Sequence, residues 1–268
     1  MARTKNSAEV SVVIPVHNEQ DYLEECLKRL LAQTVRAKEI IVVDNASSDS
    51  TASIAQAYGV QLIHEPKKGV VWARNRGFDN ARSELLVRLD ADTLVESNWL
   101  EKLVNGLGQY QAASGSAQFY DTALPSMDNW LLKRFFFDWN RYVCGVSSLF
   151  GSSMIVRRSL WQKLSRQSFT DKGWEDLDLA CRIDEEDKLY LGDLPASISI
   201  RSARQPLWRI VFYMWRWPQT FWQRRRYRAL AGSLLGLFCL AFAAPFVLSA
   251  AHIRPHLKEK LSDIYSRL

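Results

Sequence analysis

Arg88-Leu89-Asp90-Ala91-Asp92-Thr93, entered through the apolar run Leu85-Leu86-Val87, ends a buried strand with two carboxylates one residue apart. Residues i and i+2 of an extended chain point to the same side. The carboxyl end of such a strand is where open α/β sheets take their ligands. Two carboxylates there can hold a hard divalent cation that in turn grips a diphosphate, which suggests chemistry on a nucleotide-sugar. Read alone, the pattern also fits a solvated turn, so the rest of the chain must decide.

Working outward, residues 10–15, 39–44, 60–64 and 85–90 read as strands rich in Val, Ile and Leu, as parallel strands buried on both faces are. Between the first two, Tyr22, Leu23, Cys26, Leu27, Leu30 and Leu31 recur at helical spacing, with Glu24, Glu25, Lys28 and Arg29 opposite. Further helices are expected to start near Ser50, near Val70 and after Glu96. Strand–helix alternation implies right-handed crossovers and a parallel sheet. Residues 110–170 carry the apolar clusters Trp130-Leu131-Leu132 and Phe135-Phe136-Phe137 without a period that fixes an element. Helical spacing returns at Leu177, Ala180, Cys181 and Ile183.

A chain of 268 residues with 47% hydrophobic composition holds one large domain, or a domain with an appendage, and ample core. The net charge of +6 is spread along the chain, and its dense cluster, Arg224, Arg225, Arg226 and Arg228, abuts an apolar segment. A membrane surface is therefore the expected partner, and nucleic acid is not. Cys26, Cys144, Cys181 and Cys239 are too scattered for a zinc or redox motif and read as reduced thiols. Residues 1–9 are polar and lack the apolar core of a secretory signal, so the expected location of the body is cytoplasmic.

Residues 207–217 interleave aromatics with arginines, a pattern suited to a membrane interface. Residues 229–251 are 23 positions without a charge, long enough for a transmembrane helix that Gly232, Gly236 and Pro245 would soften or bend. Six arginines lie between positions 209 and 228 against four Lys or Arg after 251, so the positive-inside bias slightly favours a cytoplasmic N-terminal body. The expected organisation is a catalytic domain over 1–200, an interfacial segment over 201–228, a single membrane pass over 229–251 and a tail over 252–268.

Four ordered motifs give the sequence its family resemblance. They are Val12-Val13-Ile14-Pro15-Val16-His17-Asn18-Glu19, Val42-Val43-Asp44-Asn45-Ala46-Ser47-Ser48-Asp49-Ser50-Thr51, Gly69 with Ala73-Arg74-Asn75-Arg76-Gly77, and Asp90-Ala91-Asp92. Over roughly residues 10–185 the chain resembles the family 2 glycosyltransferases. The resemblance implies an α/β GT-A fold: Rossmann-like, a mostly parallel sheet with flanking helices, here followed by the interfacial and transmembrane helices. It further implies a nucleotide-sugar donor, Mg2+ or Mn2+, and sugar transfer with inversion at the anomeric carbon.

Several residues have chemical sense of their own. Pro15 ends the first strand because it cannot donate to a ladder, and His17-Asn18-Glu19 follows at the ligand edge; by resemblance Pro15, His17 and Glu19 line the nucleotide pocket, while Asn18 or Asp21 also fits a helix cap. Asp44, at the end of the second strand, is able to accept from a nucleobase N–H or a ribose hydroxyl, and the family's acidic turn there reads the nucleotide. Asp49-Ser50-Thr51 fits capping of the next helix. The family often has a second acid where Asn45 stands, which leaves uridine, guanosine and thymidine donors open. Arg74, with Lys67-Lys68-Gly69, would bring positive charge to the donor, as the matching family arginine does, or would simply be solvated.

By resemblance Asp92 serves mainly the metal, and Asp90 serves the ribose, a metal-bound water or the metal itself. Gly173-Trp174-Glu175-Asp176-Leu177-Asp178-Leu179 matches the family's glutamate-aspartate motif, with Asp176 as the base that deprotonates the acceptor and Glu175 beside it; spacing alone also fits an acidic first helical turn. Gln223-Arg224-Arg225-Arg226-Tyr227 invites comparison with the Gln-x-x-Arg-Trp motif of processive synthases, although Tyr227 replaces tryptophan, and its plain reading is a basic cluster bound to anionic lipid. The function expected is transfer to a lipid-linked or cell-envelope glycan acceptor at the membrane. The alternatives are a subunit of a processive polysaccharide synthase and a non-catalytic membrane assembly protein on the same fold.

Overall fold

Val10, Val12, Val13, Ile14 and Val16 are buried on both faces of the first strand, which must therefore lie inside a sheet. In the computed structural model, which describes residues 7–122 and 125–240, that strand is β1 (Ser7–Val16), the third of seven in the order β3-β2-β1-β4-β6-β5-β7. β2 (Arg36–Asp44) and β4 (Leu85–Arg88) flank it in parallel, and β3 (Gln61–His64) adds to β2. Val16 stands opposite Asp44 and Val13 opposite Arg88, so the chain leaves these strands along one edge of the sheet. Beyond β4 the direction reverses: β5 (Ala112–Phe119) and β4 both pair antiparallel with β6 (Met154–Arg157), while β7 (Lys188–Ile198) runs parallel to β5.

The first four crossovers fall where the sequence periodicity puts them: α1 (Leu23–Leu31), α2 (Thr51–Ala57), α3 (Val70–Asn80) and α4 (Trp99–Leu107). α1 buries Leu23, Cys26, Leu27 and Leu30 and turns Leu31 to solvent. Each such leucine contributes about 1.5–3 kcal/mol. α3 lies so close to the sheet that a Cβ on Gly77 would collide with Val13.

One expectation needs correction. The strand read over 85–90 stops at Arg88, and the amide of Thr93 donates to the carbonyl of Asp90 at 3.1 Å. Asp90 and Asp92 are therefore presented by a turn, and strand alternation is not what aims them.

Residues 110–170 contain β5, α5 (Pro125–Leu131), a π-helical stretch Leu132–Asp138, α6 (Trp139–Tyr142), β6 and α7 (Arg158–Leu164). A π-helix lacks the 3.6-residue repeat, which is why Phe135-Phe136-Phe137 shows no readable stripe. Phe136 packs on Phe150 and Trp174 at ring separations of 5.3 and 5.7 Å, and Phe137 stacks on Tyr190 at 4.9 Å.

The acidic motif opens the short helix α8 (Glu175–Ala180), and α9 (Leu207–Gln223) lies across it. Trp174 stacks on Trp217 at 5.7 Å with an interplanar angle of 7°, its Nε1 donates to the carbonyl of Tyr213, and its amide donates to Thr220 Oγ1 at 2.9 Å. A last helix covers residues 227–240. No helix among the described residues is long and apolar enough to cross a membrane. Of the span expected over 229–251, residues 241–251 lie outside the described residues, as does the tail over 252–268. Within 229–240 the glycines have another use: Gly232 and Gly236 are buried, the Gly232 carbonyl accepts from Trp139 Nε1 at 3.0 Å, and a Cβ on Gly236 would stand 2.6 Å from Trp217. Close packing of this helix on the domain, rather than softness, requires them.

Candidate active site

The turns after β1, β2 and β4 meet in a cleft of about 250 Å³ lined by Pro15, Val16, His17, Glu19, Asn45, Val70, Arg88, Asp90, Ala91, Asp92 and Arg201. Polar contacts sew the first two turns together. His17 Nδ1 lies 2.8 Å from the carbonyl of Asn45, and Asn18, in the left-handed region at φ 57°, accepts from the amide of Ser48 at 2.8 Å. Asn18 thus fastens two loops; the residue that opens α1, Tyr22, has no side-chain cap. Asp49 accepts from the amides of Thr51 and Gln20, so it both starts α2 and ties it to the β1 turn.

Asn45 explains its own departure from the family pattern. Its amide nitrogen donates to the carbonyls of Glu65 and Lys67 at 2.9 and 2.8 Å, and its oxygen accepts from the amide of Gly69 at 2.7 Å. A carboxylate has no proton to give either carbonyl. Asp44 lies at the end of β2 as expected, yet it is buried and not among the residues that line the cleft, accepting from the amide of Ser47 at 3.0 Å.

Behind the cleft runs a chain of charges. Arg74 is fully buried and is not among the lining residues; its Nη1 donates to Glu175 Oε2 at 2.5 Å and to the Glu175 carbonyl at 3.0 Å. Arg88 Nη1 donates to Glu175 Oε1, while its Nε and Nη2 donate to Asp90 Oδ1 at 3.1 and 2.9 Å. Asp90 Oδ2 accepts from Ser152 Oγ at 2.7 Å. Burial opposes the charge on Glu175, but the guanidiniums of Arg88 and Arg74 prevail and hold its carboxyl below the usual range. Two expectations change accordingly. Arg74 reaches the cleft only through Glu175 and Arg88, and Glu175, with both oxygens taken by arginines, is a positioning residue.

Asp176 differs from its neighbour. It is half-buried and accepts from the amide of Leu177 at 2.8 Å. Burial and the adjacent Glu175 carboxylate push its carboxyl up to about 7, with Arg88 opposing. A carboxylate with that affinity suits proton abstraction near neutral pH.

Asp92 Oδ2 accepts from Arg201 Nε at 2.9 Å. Burial, then the Asp90 carboxylate, raise its carboxyl to about 6 against the pull of Arg201. Glu19 Oε1 accepts from Arg201 Nη2 at 2.7 Å, and Glu19 Oε2 is buried without a hydrogen-bond partner. No group of three or more His, Cys, Asp or Glu among the described residues is arranged to hold a metal ion. The donor set still fits a hard cation of the Mg2+ or Mn2+ kind, which takes one or two carboxylates and completes its shell with phosphate oxygens and water. With Asp90 engaged by Arg88 and Ser152, Asp92 is the carboxylate better placed to serve it, and the orphaned oxygen of Glu19 adds to the unmet negative charge.

Arg201, Ser152 and the pairing of Arg88 escape the sequence motifs. Arg201 lies 109 positions beyond Asp92, and nothing local marks it. The arginine cluster also changes meaning: Arg224 Nε donates to Asp178 Oδ1 at 2.5 Å and Arg226 Nη2 to the carbonyl of Cys181 at 2.8 Å. These two face the protein, whereas Arg225 and Arg228 are exposed.

The model of Glycosyl transferase family 2 matches residues 11–165, a span that ends before Glu175. Glycosyltransferase GlyG of Streptococcus pneumoniae is 33% identical over 118 residues, 42% of this chain and 39% of its own length. The cholesterol galactosyltransferase of Borreliella burgdorferi is 28% identical over 173 residues, 59% of this chain and 48% of its own. The chain thus spans less than half the length of these curated relatives. Among solved structures, the mannosyltransferase PcManGT of Pyrobaculum calidifontis, in complex with GDP-Man and Mn2+, superposes with a TM-score of 0.65 at 20% identity, covering 96% of this chain and 84% of that one. Glucosyl-3-phosphoglycerate synthase of Mycobacterium tuberculosis, in complex with Mn2+, UDP and glucosyl-3-phosphoglycerate, superposes with a TM-score of 0.59 at 19% identity, covering 80% and 79%. At such identities the likeness is one of fold, the Rossmann-like GT-A sheet with flanking helices.

Proposed function

The chain belongs to glycosyl transferase family 2, and from that premise we propose that it moves a sugar from a nucleoside-diphosphate donor to an acceptor hydroxyl, with inversion, at a membrane surface. The observation that carries this reading is the convergence of the β1, β2 and β4 turns on a cleft that contains Asp90 and Asp92, with Asp176 next to Glu175, the carboxylate that Arg88 ties to Asp90. Asp92 would hold Mg2+ or Mn2+, with Asp90 close by. Such a cation, when bound, screens the charge that grows on the departing nucleoside diphosphate.

The chain's own residues do the rest. The His17–Glu19 turn and Asn45 bound the nucleotide side of the cleft. Arg88 fixes Asp90 and, through Glu175, the start of α8. Asp176 accepts the proton of the acceptor hydroxyl as its oxygen attacks the anomeric carbon opposite the diphosphate. Neighbours of this fold were solved with GDP-Man and with UDP, which supports the donor class and leaves guanosine and uridine both open.

The acceptor proposed is lipid-linked or a cell-envelope glycan. The cholesterol galactosyltransferase relative, by its name, acts on a lipid. The outer face of α9 exposes Trp208, Val211, Phe212, Trp215 and Trp222, and the helix over residues 227–240 exposes Leu234, Leu235 and Phe238. Aromatic rings beside arginines suit the headgroup region of a bilayer. The inner side of the same helix holds Trp174, next to Glu175 and Asp176, so a bilayer under α9 would lie on the acceptor side of a cytoplasmic catalytic body. The deciding experiment is calorimetric binding of UDP, GDP and dTDP with and without Mn2+, in the parent and in Asp92→Ala. Metal-dependent binding of one nucleotide, lost in the variant, is expected; no binding by folded parent protein would overturn the reading.

A further inference from the structure

Arg201 belongs to the turn Ile200–Arg204 that follows β7, and it lines the cleft beside Glu19 of the β1 turn. Its backbone is anchored: Ser199 Oγ and the amide of Ile200 both donate to the Asp121 carboxylate at 2.7 Å. Its guanidinium spans two carboxylates, Asp92 at 2.9 Å and Glu19 at 2.7 Å, lies over the Tyr22 ring at 4.4 Å, and keeps a side-chain exposure of 35%. Without it, two half-buried carboxylates would share the cleft with Asp90, a costly arrangement in which Glu19 Oε2 already lacks a partner.

We infer that Arg201 is an internal stand-in for the divalent cation: in the donor-free protein it neutralises Asp92 and Glu19, and when cation and donor bind it leaves Asp92 and grips the diphosphate. A guanidinium and a divalent cation compete for the same carboxylate charge, so each weakens the hold of the other at Asp92. A planar fork of donors released beside a diphosphate is matched to its oxygens. The partial exposure of the side chain and its fixed backbone allow the head group to swing without disturbing β7. This assignment rests on the donor reading above and deepens it, because one residue then both delays cation entry and strengthens nucleotide binding.

The two effects have opposite signs, and that makes the inference testable by calorimetry with Mn2+ alone and then with UDP and GDP at saturating Mn2+, on the parent, Arg201→Ala and Arg201→Gln. Both variants should bind Mn2+ alone about tenfold more tightly and the nucleotide about tenfold more weakly. Unchanged affinities, or weakening of both, would overturn the inference, as would loss of fold in both variants by near-ultraviolet circular dichroism, since Arg201 would then be merely structural. A parent protein that binds neither nucleotide sinks the donor reading itself. A parent that binds, with variants that show no split, sinks only the role of Arg201.

Discussion

Arg224 reaches back 46 positions to donate from Nε to Asp178 Oδ1 at 2.5 Å, clamping the end of α9 to the helix that carries Asp176. Asp178 is buried and keeps Arg182 as a second partner at 2.9 Å. Arg224→Ala should therefore cost about 2 kcal/mol, less than the 3–5 kcal/mol of a fully orphaned buried charge. Arg225→Ala, at an exposed left-handed position, should cost almost nothing. Urea denaturation of the two variants separates an internal clamp from a lipid-binding cluster, in which both arginines would weigh alike.

Glu175→Gln and Asp176→Asn, although neighbours, should fail differently. The first leaves the buried Arg74 and Arg88 short of a countercharge and should destabilise the fold by about 3 kcal/mol. The second should keep the fold and nucleotide binding and lose transfer. Denaturation and single-turnover transfer on both variants test this, and transfer retained in Asp176→Asn would move the base to another residue.

The pH dependence has a fixed sign. Asp176 is raised to about 7 in the folded chain, against about 4 for a free aspartate, so between those values the native state binds more protons than the unfolded one and stability falls as pH rises. Asp92, raised to about 6, adds to the same slope. Base catalysis needs ionised Asp176, so transfer should rise through about pH 7 while thermal stability declines. Asp176→Asn should flatten the stability profile and overtake the parent above pH 7, which scanning calorimetry across the range would reveal.

Asp92→Ala should lower turnover by at least about a hundredfold and leave the fold intact, since Arg201 retains Glu19. Donor consumption with Mn2+, read beside the melting temperature, checks both halves of that expectation.

Gly236→Val would drive a side chain into Trp217 and Trp139 and should cost about 1–3 kcal/mol. Trp208→Ser with Phe212→Ser, on the exposed face of α9, should leave the melting temperature unchanged and weaken co-sedimentation with anionic vesicles. Equal sedimentation by parent and variant would remove the bilayer from the proposal.

The parallel half of the sheet was legible because Val13, Ile41, Leu86 and their neighbours form short apolar runs rich in Val, Ile and Leu, as strands buried on both faces do, and because Leu23, Cys26, Leu27 and Leu30 recur at helical spacing between two of them. The turn at Asp90 was not, since Leu89 is as apolar as the strand before it; its amide still donates to Val13, and only the Thr93 contact shows the chain bending. Phe135-Phe136-Phe137 hid in a π-helix. In the site, Asp92 and Asp176 stood out as carboxylates at motif spacing, while Arg201, Ser152 and the inward use of Arg224 depend on contacts across 109, 62 and 46 positions that no local pattern encodes.

The reversal of strand direction at β4 and β6 has an evolutionary side. The end of one strand sits beside the beginning of the other, so the segment leading into β6 delivers Ser152 to Asp90 and lays Gly151 against Arg88, where any Cβ would press on the guanidinium at 2.7 Å. Length changes are commonly tolerated in surface connections, yet an insertion between Phe150 and Met154 would pull the hydroxyl from the carboxylate and let Asp90 rotate. The three residues after Phe150 are therefore held to a fixed length by a carboxylate in another part of the chain.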